Sequence, residues 1–130
     1  MKASLEITEA PIELGIGSDG GAFSGDSGAV VRFLGVVRGR EGGRLISAID
    51  YEVFPEMAKH QFDLIFNEAL SRWPVQSVRV IHRIGVVPVN HPSLWIEVVG
   101  SHRGEAFAAC QFVIDEMKRR VPIWKKPMFS

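Results

Sequence analysis

The chain has 130 residues, 46% of them hydrophobic and 23% charged, which suits one globular domain over 1–130 with a sizeable core. Its 15 basic and 15 acidic side chains cancel, which excludes a general nucleic-acid binder and confines any anion site to a local patch. No apolar run approaches the roughly 20 residues that cross a bilayer, the opening residues lack a signal peptide's apolar stretch, and the single cysteine, Cys110, allows no internal disulfide, so a cytoplasmic protein without membrane contact is expected.

Leu5 to Thr8 predicts a short strand, and Gly15 to Gly28, rich in Gly, Ser and Asp, predicts a loop. Ala29 to Val37 is apolar and β-branched and reads as a strand. Gly39 to Arg44 reads as a flexible connection, with glycines on both sides that would suit a mobile lid. The strand from Leu45 to Phe54 would run antiparallel to its predecessor if that connection is a hairpin. Along it Leu45, Ser47, Ile49, Tyr51 and Val53 make the more apolar face, opposite Ile46, Ala48, Asp50 and Glu52.

Pro55 suits a first helical turn. Ala58, Phe62, Ile65, Ala69 and Leu70 recur at helical spacing until Trp73-Pro74 ends the helix. Ser77 to Ile84 predicts a strand, a proline-rich turn follows through Pro88, Asn90 and Pro92, and Leu94 to Val99 predicts another strand. Ser101 is the expected N-cap of the last helix, with Glu105 in its first turn and Phe107, Cys110, Ile114 and Met117 as its apolar stripe. This order predicts an α+β fold, a mainly antiparallel sheet packed with two main helices.

The informative chemistry is cationic. Lys118 follows Ile114 by four positions and so projects about 40° from the apolar stripe, at the core margin. A lysine there is either a snorkelling side chain covering apolar surface or a partly desolvated base or nucleophile. Val121-Pro122-Ile123-Trp124 interrupts the helix, so the chain can fold back and aim Lys118 and Lys125 into one cleft. Lys126 reads as solvated. His102 and Arg103 start the last helix, where free N–H groups and the dipole favour anions and an arginine fork can hold phosphate; the plainer alternative pairs Arg103 with Glu105. Arg38 stands at the lip of the flexible loop, with a solubilising role as its default. His82 lies in an apolar strand and reads as structural rather than as a ligand. No His, Cys, Asp or Glu pair has metal-site spacing, so no metal is expected, and Cys110 on the buried stripe reads as a core cysteine.

Five segments in register resemble the large, catalytic subunit of molybdopterin synthase. They are Phe33-Leu34-Gly35-Val36-Val37-Arg38, Tyr51-Glu52 with Pro55-Glu56-Met57-Ala58, Ile81-His82-Arg83-Ile84-Gly85, Ser101-His102-Arg103 with Ala106-Phe107, and Lys118 with Pro122-Ile123-Trp124-Lys125-Lys126. The resemblance runs from about Gly28 to Lys126 and implies an α/β-hammerhead-like fold. It further implies a homodimer in which each copy binds a small ubiquitin-like sulfur-carrier subunit ending in a Gly-Gly thiocarboxylate, giving a heterotetramer. Two sulfurs would pass in successive rounds to cyclic pyranopterin monophosphate, forming the molybdopterin dithiolene of molybdenum cofactor biosynthesis, with no cofactor used. By this resemblance Lys118 and Lys125 are the catalytic lysines, and Arg38, His102, Arg103, Ile114 and Lys126 bind substrate. The chain departs from the family in stopping soon after Trp124-Lys125-Lys126 and in lacking a Gly-acidic pair in the turn from Val87 to Ser93. The competing expectations are a non-catalytic scaffold that still binds the carrier, and a small module for an unrelated phosphate ligand.

Overall fold

The computed structural model describes residues 2–13 and 23–130, so most of the loop expected from Gly15 onward lies outside the described residues. The elements in chain order are β1 (Ala3–Thr8), β2 (Ala29–Val36), β3 (Arg40–Glu41), β4 (Arg44–Val53), α1 (Pro55–Arg72), β5 (Val75–Arg83), β6 (Gly85–Pro88), β7 (Pro92–Gly100), α2 (Arg103–Arg120) and β8 (Ile123–Phe129). The expected α+β class is borne out: every strand pair is antiparallel except β1 with β5.

The strands form two sheets. The first has the order β1-β5-β7-β2, and the second joins β3, β4 and β6 with β8 added on β4. In the first sheet β7 is central, and its Ser93 to Gly100 are buried, as expected of a strand covered on both faces. One face carries Val78, Val80, Ile96 and Val98 against Phe62 and Ile65 of α1 and Ala109, Val113 and Met117 of α2. The opposite face holds Trp95, Ile81 and Ile12. There the fully buried Glu97 carboxylate accepts from Arg32 Nε at 2.9 Å and lies 3.5 Å from an Arg79 guanidinium nitrogen.

Both helices end for the same reason. Trp73 and Val121 each precede a proline and are extended, because the following ring disfavours helical geometry in the residue before it. Their N–H groups still donate to Ala69 and Met117 carbonyls, at 3.0 and 2.9 Å. Arg120 ties the helices together by donating to Glu68 at 2.6 Å and to Glu116 at 3.2 Å.

Several expectations are corrected. β4 does not pair with β2, whose partner is β7; β4 belongs to the other sheet. The connection expected to be flexible folds as a tight hairpin, β3 on β4, turned by Gly42 and Gly43 with φ of 57° and 81°. Two positive φ values match the twist of the flanking strands, and glycine takes them without strain. The face assignment along β4 holds only from Ile49 onward: Leu45 is exposed and Ile46 and Ala48 are buried, because a register shift between Ile46 and Ala48 moves the alternation by one. The proline-rich turn begins later than expected, since Gly85–Pro88 is strand β6. The residues after α2 are a strand, β8, rather than a tail. His102, not Ser101, is the N-cap, and no side chain caps that end. Phe107 is 60% exposed and leaves the stripe, which runs instead through Ala106, Ala109, Cys110, Val113, Ile114 and Met117.

Candidate active site

At Gly85, with φ of 80°, the chain leaves β5 and crosses into the second sheet as β6. This crossing brings the end of the helix-covered face of the first sheet against β4 and β8. Val78, Val80 and His82 alternate along that face, and His82 is the Cα partner of Leu94 on β7 and of Ile7 on β1. From the other sheet, Tyr51 is the Cα partner of both Gly85 and Lys125, so its side chain and that of Lys125 share a face. The Tyr51 and His82 rings meet edge-on, 5.5 Å between centroids and 75° between planes.

A cavity of about 590 Å³ opens at this junction. Its apolar wall comes from Phe33, Leu34, Leu94, Met117, Val121 and Ile123, and Arg38, Lys118 and Lys125 surround it. All three cations are exposed, and none makes a hydrogen bond or ion pair among the described residues. The polar floor is neutral and buried: Tyr51 is 6% exposed and His82 is 4% exposed. The His82 Nδ1 lies 2.8 Å from the Arg83 carbonyl oxygen. A carbonyl only accepts, so Nδ1 carries the hydrogen and Nε2 of the neutral ring keeps its lone pair. Burial holds the imidazole below its ordinary range, and the nearby Lys125 charge acts in the same direction against the opposing pull of the Arg83 carbonyl.

The two lysines expected to share a cleft do so, one from the last turn of α2 and one from β8, with Arg38 on the same rim. Lys118 is exposed at the mouth rather than partly desolvated. Lys126 alternates to the opposite face of β8 and lines a second cleft with Asp50, Glu52, Phe54 and Trp124, which Lys125 also borders. Ile114 packs in the helix–sheet core and does not line the cavity. His102 and Arg103 are at the other end of α2 from Lys118, about 22 Å away along the axis at 1.5 Å per residue, and within one chain they do not reach the cavity. His102 lies 3.8 Å from the Glu105 carboxylate. Sequence reasoning reads His82 as structural and gives Tyr51 no site role, yet both line the cavity; the alternation of His82 with Val78 and Val80 marks it as the polar member of an apolar face. Among the described residues no three His, Cys, Asp or Glu side chains lie together as a metal site, and no helix is long and apolar enough to cross a membrane.

The family model described as MoaE protein matches residues 7–120. The chain belongs to the MoaE protein family. The molybdopterin synthase catalytic subunit of Pyrococcus abyssi is 42% identical over 103 residues, which are 79% of this chain and 70% of that protein. The crystal structure of molybdopterin synthase from Staphylococcus aureus superposes with a TM-score of 0.87 at 31% identity, covering 96% of this chain and 90% of that one. The complex of subunits 1 and 2 of the molybdopterin-converting factor from Helicobacter pylori shares the fold, with a TM-score of 0.78 at 22% identity over 97% of this chain and 89% of its own. MoaE membership makes the chain an enzyme-family member of molybdenum cofactor biosynthesis, as the sequence resemblance implied.

Proposed function

We propose that this chain takes sulfur from the C-terminal thiocarboxylate of a small ubiquitin-like carrier and transfers it to cyclic pyranopterin monophosphate. The observation that carries this reading is the set of three cations, Arg38, Lys118 and Lys125, around one cavity without any anionic partner among the described residues. Both reactants are anionic, one through its phosphate and one through its thiocarboxylate, and a cationic cleft with a low-dielectric wall attracts both. A scaffold that only held the carrier would meet a single anionic group, the carrier's C-terminus, whereas three cations around one cavity suit two anionic reactants together.

In this reading Lys118 acts at the thiocarboxylate or pterin, as general acid/base or as a nucleophile acylated transiently by the carrier's terminus. Lys125 neutralises and positions the reacting groups, and Arg38 holds phosphate oxygens. His102 and Arg103, about 22 Å from Lys118 along α2, serve the same substrate only from a second copy, which agrees with the homodimer and heterotetramer implied by the resemblance. The Helicobacter pylori complex of two subunits supports a small partner. Lys126 and Ile114 then contribute through the strand and helix that carry Lys125 and Lys118. The reaction belongs in the cytoplasm, where a free thiocarboxylate and the reduced Cys110 are both stable.

The test follows the carrier by intact-protein mass spectrometry. With pterin present, the thiocarboxylated carrier is expected to convert to the carboxylate form at a rate that depends on this chain. Conversion at the same rate without the chain, or without the pterin, would contradict the proposal.

A further inference from the structure

The proposed reaction gives roles to the cations at the rim but none to the two buried polar groups at the floor. Arg38, Lys118 and Lys125 can only donate hydrogen bonds. Ser93, the other polar side chain of the wall, donates to the Gly35 carbonyl at 3.4 Å. A substrate held only by such groups would have its anionic part satisfied and any N–H of its ring system left without a side-chain acceptor.

We propose that His82 is the acceptor that reads the neutral ring system of the substrate, its Nε2 lone pair receiving an N–H at the cavity floor beside Tyr51. Two observations carry this. The Nδ1–H is fixed by the Arg83 carbonyl at 2.8 Å, which leaves Nε2 as the acceptor, and no group among the described residues hydrogen-bonds to Nε2 or to the Tyr51 hydroxyl. The Tyr51 ring packs against the imidazole edge-on and holds its plane. The cavity is therefore graded, with cations at the mouth for phosphate and thiocarboxylate and a neutral donor–acceptor pair at the floor for a heterocycle with N–H groups. This inference rests on the sulfur-transfer reading for the identity of the heterocycle.

The groups facing His82 keep it in the acceptor state. β8 presents Lys125, α2 presents Lys118, the segment after β2 presents Arg38, and β4 presents Tyr51. β7 offers Leu94 and Ser93, β1 places Ile7 beside it, and its own strand adds Arg83. No carboxylate is among them to favour an imidazolium. Protonation of Nε2 would turn the acceptor into a fourth cation and end recognition of an N–H, so binding of the pterin should weaken as pH falls.

The test compares wild type with His82→Gln, which keeps an acceptor without titrating near neutrality, and His82→Phe, which keeps the ring contact with Tyr51 but has no acceptor. Thermal melting verifies that each variant folds. Binding of cyclic pyranopterin monophosphate is measured by calorimetry between pH 5 and 8, and the imidazole nitrogens of wild type are followed by NMR. The expected result is an affinity loss of about 5- to 100-fold for His82→Phe, the range for a donor left unpaired. His82→Gln should stay close to wild type at neutral pH with a flattened acid limb, and the Nε2 resonance should move when pterin is added. Wild-type affinity in His82→Phe, an unmoved Nε2 resonance, or no pterin binding by the wild type would each overturn the inference. Pterin binding through His82 without carrier conversion would instead contradict sulfur transfer and leave this inference standing.

Discussion

Replacing Lys118 by alanine separates a chemical role from a structural one. Lys118 is exposed at the mouth of the cavity, in the last turn of α2. Its contribution to the helix comes from the C-terminal dipole, about 0.3–1 kcal/mol, and alanine's better helix propensity offsets part of that. Stability should thus change by less than about 1 kcal/mol, and the melting temperature by no more than a few degrees. Loss of a proton-transferring group costs about 10²- to 10⁴-fold in rate, or about 3–5 kcal/mol of barrier at 1.36 kcal/mol per decade. The two scales are far enough apart that one experiment distinguishes them. Turnover of thiocarboxylated carrier and pterin should fall by at least about 100-fold in Lys118→Ala, while melting stays within those few degrees and the carrier still binds. A fall of less than about ten-fold would refute the assigned role, and a rate loss accompanied by a collapse in melting temperature would show that the side chain is structural.

Further outcomes follow from the fold. Cys110 is buried and its thiol is pushed up to about 11, so at pH 8 it stays protonated and should resist alkylation until the protein is denatured. Cys110→Ser should keep its activity while losing about 1–3 kcal/mol for a hydroxyl buried in apolar surroundings, read by denaturant melts; loss of activity in a folded Cys110→Ser protein would contradict a purely packing role for the thiol. A methyl group added at Gly28 would collide with the Ser101 carbonyl oxygen, where Gly28 N–H already donates to Gly100 at 2.9 Å; Gly28→Ala should cost about 1–3 kcal/mol, seen as a lower melting temperature. Burial holds His82 below the ordinary imidazole value of 6.5, so the unfolded chain binds the proton more tightly. Stability is then fully present above about pH 6.5 and declines as pH falls toward the folded value, and His82→Gln should flatten this acid limb in a melting series.

The parts of the fold legible in the sequence are those fixed by local pattern. The β-branched, apolar runs at Ala29 to Val37 and Leu94 to Val99 are strands, the second buried throughout and the first half-buried on its flank, and both helices stop at residues before proline. Which strands pair was not legible. β4 leaves β2 for another sheet because a two-glycine hairpin, rather than a β2–β4 hairpin, sets its direction. Gly85–Pro88 and Ile123–Phe129 carry turn and edge residues, Pro88, Pro127 and two lysines, and become strands only because β4 offers both its edges. A similar limit applies to the site. Lys118 and Lys125 could be brought together on paper because one proline break lies between them. Tyr51 and His82 could not, because their contact depends on the crossing at Gly85, a long-range feature with no local signal beyond one histidine on an apolar face.

The central claim, that this cavity performs sulfur transfer, is tested most directly by mixing the purified chain with thiocarboxylated carrier and cyclic pyranopterin monophosphate and assaying the dithiolene as its fluorescent oxidised derivative. Product that requires all three components, and that is lost in Lys118→Ala, is the predicted result. Absence of product from wild-type protein that still binds the carrier would contradict the claim and leave a carrier-binding scaffold in its place.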